Sequence, residues 1–144
     1  MKTATPATLF ALVEACREGE RGFHAAAAGI EDPRLRQLCE TYADQRAGFR
    51  RELGGELARL GLEPVTARPE GRTSDESAWS PLPDETAALA ELARRDASAE
   101  AAYREALDRG IPEPLTGMVE RQYLMVLDAL KHLGQLERSL ARQI

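Results

Sequence analysis

Apolar residues recur every three or four positions over four long stretches of the chain, which is the spacing of one face of an α-helix. This pattern predicts helices at about 6–30, 33–60, 85–109 and 113–142. Thr5-Pro6 and Asp32-Pro33 each place a capping residue directly before a proline, an arrangement that favours a helix start. The chain is therefore predicted to be all-α, as one domain covering residues 1–144.

The connections between the predicted helices differ greatly in length. The first and second helices are joined by a few residues, as are the third and fourth, and such short connections favour antiparallel helical hairpins. The segment 62–83 is rich in Pro and Ser and is much longer. About twenty extended residues can span ~65 Å, more than the ~40 Å length of the second helix.

A connection of that reach can run back along the bundle and start the third helix parallel to the second. Two antiparallel hairpins joined by a long crossover define the ferritin-like type of four-helix bundle, and this is the fold that we predict. Trp79 and Leu82 are the large apolar anchors of the crossover. We expect the Trp79 ring to pack on the bundle.

A polar residue interrupts the apolar stripe near the middle of each predicted helix. These residues are Glu20, Gln45, Asp96 and Gln122, with Arg46 beside Gln45. In each half of the chain an acid precedes a glutamine by 25 or 26 positions, which is typical of a duplicated helical hairpin. We predict one polar layer at mid-height in the core, structural in role, because acids accept and arginine donates hydrogen bonds.

Carboxylates in a bundle core also raise the possibility of a metal site. The alternative hypothesis is an iron- or manganese-binding bundle with oxidoreductase activity, with Glu20, His24 and Asp96 as candidate ligands and Glu52 or Glu100 in support. However, the sequence contains no Glu-x-x-His pair, and two of the four layer residues are amides, which are weak neutral ligands. We therefore expect no cofactor and no catalytic residue.

Composition and charge limit the classes of partner that we expect the protein to bind. The net charge of -5 arises from charges of both signs along every helix, so we expect neither nucleic acid nor a membrane surface as a partner. The apolar runs are shorter than the ~20 residues that a membrane span needs. Cys16 and Cys39 both lie on apolar stripes, on the order of 13 Å apart in height, so we expect buried free thiols. These features favour a cytoplasmic protein.

The fourth predicted helix has apolar residues beyond a single stripe, namely Leu124, Met125, Val126, Leu127 and Leu130. Such a wide apolar surface indicates a contact with another chain, and we expect a homodimer. The alternative is that the crossover covers this surface.

Four short segments carry a resemblance to a known family. They are LVEACREGERGF at 12–23, YADQRAGF at 42–49, YREAL at 103–107 and VERQY at 119–123. In order and spacing they resemble the motifs of small bacterial four-helix-bundle proteins of unknown function, placed near the ferritin-like superfamily. The resemblance implies a fold and no reaction. The chain departs from the family in its crossover, where only Trp79 fits, in Asp96 where Glu is common, and in Leu130 where His is frequent.

Overall fold

A computed structural model describes residues 6–62 and 85–142 of the chain. It contains four helices: α1 (Pro6–Gly29), α2 (Pro33–Arg59), α3 (Glu85–Arg109) and α4 (Glu113–Arg142). These two described ranges contain no β-strand, and the prediction of an all-α, four-helix protein is confirmed for them. The predicted crossover, including Trp79, lies outside the described residues except for Leu62. None of the described helices is long and apolar enough to cross a membrane.

Local chemistry explains where the helices begin and end. Asp32 caps α2, because its Oδ1 accepts a hydrogen bond of 2.8 Å from the backbone N–H of Arg34. Gly61 follows α2 with φ 78°, and Gly110 follows α3 with φ 94°. A side chain is strained in this left-handed region, so glycine is the residue that ends a helix with such a turn.

Helix α1 packs against both α2 and α3, and α4 packs against α3 and, over a shorter stretch, against α2. The start of α3 lies beside the α1–α2 connection. There the Glu85 carboxylate accepts a hydrogen bond of 3.0 Å from the backbone N–H of Asp32. Leu62, after the end of α2, packs instead against the apolar cluster that contains Leu9 of α1 and Leu57 of α2.

The buried apolar residues form two clusters, one towards each end of the helices. The first comprises Leu9, Leu12, Cys16, Phe49, Leu53, Leu57, Ala99, Tyr103, Ala106, Leu115, Val119 and Val126. The second comprises Phe23, Ala26, Ala27, Ile30, Leu35, Cys39, Tyr42, Ala43, Ala88, Leu89, Leu92, Ala129 and Leu133. Along α2 and α3 the boundary between the two clusters falls at Arg46 and Asp96, which are both buried.

Both cysteines are buried and free, which confirms the prediction of unbridged thiols. Cys16 belongs to the first apolar cluster and Cys39 to the second.

Candidate functional site

The most unusual feature of the core is a buried ion pair between α2 and α3. The residues Arg46 and Asp96 have exposed fractions of only 1% and 3%. Arg46 donates hydrogen bonds to both carboxylate oxygens of Asp96, one through Nη1 and one, of 3.1 Å, from Nη2 to Oδ2. This two-pronged geometry matches the planar guanidinium to the planar carboxylate and is the strong form of such a pair.

Two further contacts help to compensate the burial of the Arg46 guanidinium. Its Nε donates a hydrogen bond of 3.1 Å to Oε1 of Gln45. Its central carbon lies 5.4 Å from the centroid of the Phe23 ring, within the range of a cation–π interaction. A buried arginine needs partners for its donors, since water is not there to take them. Arg46 has hydrogen-bond acceptors on α2 and α3 and a ring contact on α1.

Gly19 of α1 provides the space that the Arg46 side chain occupies. A Cβ atom placed on Gly19 would lie 3.2 Å from Cγ and 3.3 Å from Nη1 of Arg46. Glycine inside a helix costs about 1 kcal/mol relative to alanine. The close approach of Arg46 to the α1 backbone gives a physical reason for a glycine at this position.

A second polar chain leads from the core to the surface. The Tyr103 hydroxyl donates a hydrogen bond of 2.6 Å to Oε1 of the buried Gln122, and the Gln122 Nε2 donates one of 2.9 Å to Glu52. Glu52 is also paired with the exposed Arg121, at 3.2 Å. On the inner side, the Cys16 Sγ lies 3.1 Å from the Tyr103 hydroxyl oxygen. Because the hydroxyl hydrogen is directed to Gln122, the thiol is the donor in this contact.

Burial makes the thiols and the inner tyrosine poor acids. Desolvation raises the pKa of Cys16 to about 11 and, with a smaller contribution from the nearby Glu40 charge, that of Cys39 to about 11. It also raises the pKa of Tyr103 above its ordinary value. Both cysteines are therefore neutral thiols near pH 7, and a neutral thiol is a weak nucleophile.

On α1 and α2 the buried polar positions differ from the predicted ones. Glu20 is partly exposed and accepts hydrogen bonds of 2.9 and 3.1 Å from Arg50, while Gln45 is partly buried at the edge of the core. Gly19 and Arg46 take the inward positions instead. The apolar stripe can be continued by either of two adjacent residues, because helix spacing alternates between three and four. The Arg46–Asp96 pair fits only when Gly19 faces it.

On α3 and α4 the predicted polar residues Asp96 and Gln122 are both buried. Of residues 20, 45, 46, 96 and 122, only Arg46, Asp96 and Gln122 are buried. Gln122 lies within the first apolar cluster, between Val119 and Val126, and not at the boundary that Arg46 and Asp96 mark. Sequence reasoning missed the contributions of Gly19, Tyr103 and Glu52. A glycine in mid-helix beside an apolar stripe was the one available signal, since it marks a close approach.

The candidate metal ligands do not converge on a common point. His24 is exposed, and Glu100 accepts hydrogen bonds from Arg104 and from the Tyr123 hydroxyl. The other carboxylates that were considered are each bonded to an arginine: Glu20, Glu52 and Asp96. Among residues 6–62 and 85–142, no three His, Cys, Asp or Glu side chains are grouped as a metal ion would require.

A groove of about 320 Å³ lies between α1 and α3, and Asp96 of the buried ion pair forms part of its wall. Helix α1 contributes Ala15, Gly19 and Gly22 to its walls, and α3 contributes Leu92 and Asp96. Glu14, Glu18 and Phe23 of α1 also line the groove.

Comparisons with known proteins leave the family open. No protein-family model matches the sequence, and no curated protein matches it either.

We expect Gly19→Ala to destabilise the fold although alanine is the better helix former. Its methyl group would push on Arg46, and overpacking of this kind costs on the order of 1–3 kcal/mol. The matched control is Gly48→Ala on α2, where an added Cβ meets no atom within 4 Å and a gain of about 0.5–1 kcal/mol is expected. Urea denaturation followed by circular dichroism measures both, and equal stabilisation by the two variants would contradict the role given to Gly19.

We expect Asp96→Ala to lower the free energy of unfolding by about 3–5 kcal/mol, because it leaves the Arg46 charge buried without its partner. Glu20→Gln changes a partly exposed pair with Arg50 and should cost about 0–1 kcal/mol. The double variant Arg46→Met/Asp96→Leu should recover most of the loss, since it removes both charges. Denaturant titration measures the free energy of unfolding of all three variants. An Asp96→Ala cost no larger than that of Glu20→Gln would show that the pair is not a structural element.

Proposed function

We propose that this chain is a non-enzymatic, ferritin-like four-helix-bundle protein of the small bacterial family that its four motifs resemble. In this proposal α1–α2 and α3–α4 are antiparallel hairpins and the segment 63–84 is the long crossover. The packing of α1 on both α2 and α3 and the position of Glu85 beside the α1–α2 connection support this topology.

The polar layer has a structural role in this proposal, and one observation carries it. Both carboxylate oxygens of Asp96 accept hydrogen bonds from Arg46. The acid at the centre of the bundle is therefore already neutralised by a positive charge, which opposes the binding of a cation at the same oxygens. A metal-binding oxidoreductase would need that arginine to leave its buried position.

A buried ion pair contributes more to specificity than to net stability in this interpretation. Desolvation of two charges offsets much of their attraction. A shift of α2 against α3 by one turn would, however, leave both charges buried and unpaired, and this cost excludes other registers of the helices. Arg46 thus defines the height at which the two apolar clusters meet.

We place the biological activity on the outer surface of the bundle. In this proposal the chain is a cytoplasmic interaction protein, and its first partner is a second copy of itself. Leu124 and Met125 have exposed fractions of 63% and 39% on α4. Exposed charges on the same helix are mostly acidic up to Asp128 and basic from Lys131 onward: Glu113, Glu120, Arg121 and Asp128, then Lys131, Arg138 and Arg142. Two α4 helices packed antiparallel about a twofold axis would place opposite charges together.

Elemental analysis of protein purified without an affinity tag or chelator tests the structural role. We expect iron and manganese far below one atom per chain, because the carboxylates of the layer are bonded to arginines. Glu20→Ala serves as the matched variant and should have the same low content. One or two metal atoms per chain that are lost in Glu20→Ala would overturn the proposal and favour the oxidoreductase alternative.

The proposed homodimer predicts that Leu124→Glu gives a monomer, because a charge would be buried at the centre of an apolar contact. Leu60→Glu is the control, since Leu60 is another exposed leucine but lies at the end of α2. Sedimentation equilibrium over a range of concentrations measures the mass of each. A wild-type protein that is monomeric throughout, or a Leu124→Glu variant that remains dimeric, would contradict the assignment of α4.

A further inference from the structure

We propose, on the basis of the homodimer in the proposed function, that the α4 contact is under redox control and that a hydroperoxide separates the two chains by oxidising Met125. Among the described residues of α4, Leu124 and Met125 are the large apolar side chains that are exposed. Because they are neighbours in the sequence, they lie about 100° apart around the helix axis and border one face of α4. A chemical change at Met125 therefore alters the apolar surface on which the contact depends.

The face between these two residues also carries one exposed charge of each sign. Arg121 lies about one turn before the apolar pair and Asp128 about one turn after it, and both are exposed. At ~100° for each residue, both lie within about 10° of the line midway between Leu124 and Met125. These four residues form one continuous surface, which we call the α4 strip.

A twofold axis that passes between Leu124 and Met125 makes the α4 strip complementary to a second copy of itself. In an antiparallel pair of helices this axis places Leu124 against Met125 of the partner subunit. It also places Arg121 against Asp128 of the partner subunit, and opposite charges then meet on both sides of the axis. Arg121 contacts Glu52 of its own chain through Nη2, and its side chain is 56% exposed. Its other guanidinium donors are thus accessible to a second carboxylate.

The thioether of Met125 supplies the chemistry of the switch. A hydroperoxide transfers its terminal oxygen to the sulfur, so that an S–O bond forms, the O–O bond breaks and the sulfur loses two electrons. The hydrogen of the transferred oxygen passes to the leaving oxygen, which departs as water or as an alcohol. The sulfoxide is polar, and its burial against an apolar side chain of the partner is unfavourable. The oxidised chain therefore favours the monomer.

The other described sulfur atoms are less accessible than that of Met125, whose exposed fraction is 39%. Met118 is partly buried against the first apolar cluster, and Cys16 and Cys39 are buried. Both thiols are neutral near pH 7, and a neutral thiol reacts slowly with peroxide. Because the dimer contact covers Met125, oxidation acts on the free monomer, and mass action then withdraws oxidised chains from the dimer.

Sedimentation equilibrium before and after treatment with hydrogen peroxide tests the proposal, with peptide mass spectrometry to locate the added oxygen. Once Met125 is oxidised, we expect the dissociation constant of the wild-type dimer to rise by about a hundredfold, since each dimer would bury two sulfoxides. A methionine sulfoxide reductase with a dithiol should restore the original constant. Met125→Gln should weaken the dimer without peroxide, because its amide is also polar.

Met125→Leu and Met118→Leu are the matched variants. Met125→Leu keeps an apolar side chain without a sulfur, so its dimer should form and should persist after peroxide treatment. Met118→Leu should respond to peroxide as the wild type does. Helical circular dichroism should be unchanged by oxidation in all three proteins.

Three results would overturn the switch alone: a dimer that persists with Met125 oxidised, a Met125→Leu dimer that peroxide still dissociates, or a loss of helix that accompanies dissociation. A wild-type protein that is monomeric before any oxidation would instead contradict the proposed homodimer and the switch with it. The unoxidised sample thus separates the failure of the proposed function from the failure of its regulation.

Discussion

The buried ion pair between Arg46 and Asp96 is the interaction on which the rest of the core depends. Removing two charges from water costs several kcal/mol for each ion, so the pair persists only where its surroundings compensate it. The structure supplies that compensation from three helices. Asp96 accepts two hydrogen bonds, Gln45 accepts a third, and the Phe23 ring lies under the guanidinium. Gly19 contributes by having no side chain, because any Cβ would occupy the space that Arg46 needs.

The same pair explains how two separate apolar clusters belong to one bundle. Alanine and leucine dominate both clusters, and such side chains pack acceptably in more than one register. An ion pair between α2 and α3 accepts only one register, because the alternatives bury unpaired charges. The outward chain from Tyr103 through Gln122 to Glu52 adds a second set of directional bonds, between α3, α4 and α2. The role that we propose for these polar residues is to give specificity to a core whose packing is mostly apolar.

The two halves of the chain resemble each other in sequence but use their polar residues in opposite ways. Arg46 and Arg121 both adjoin a glutamine, yet Arg46 is buried while the Arg121 side chain is 56% exposed. Conversely, Gln122 is buried and Gln45 lies at the edge. The arginine follows the glutamine in α2 and precedes it in α4, a difference of about 200° around a helix axis. A repeated pattern of residues therefore does not produce a symmetric site.

The sequence by itself determined the helices, because their causes are local: apolar spacing, the Asp32 cap, and glycines with positive φ at 61 and 110. It also determined that Asp96 and Gln122 interrupt the buried apolar stripes of α3 and α4. Only the tertiary structure decided which member of the adjacent pairs 19–20 and 45–46 faces inward, since helical spacing allows both. That choice depends on Asp96, fifty residues away from Arg46, and on the room beside Gly19. The groove beside α3 likewise arises from the distance between two packed helices, which neither helix specifies alone.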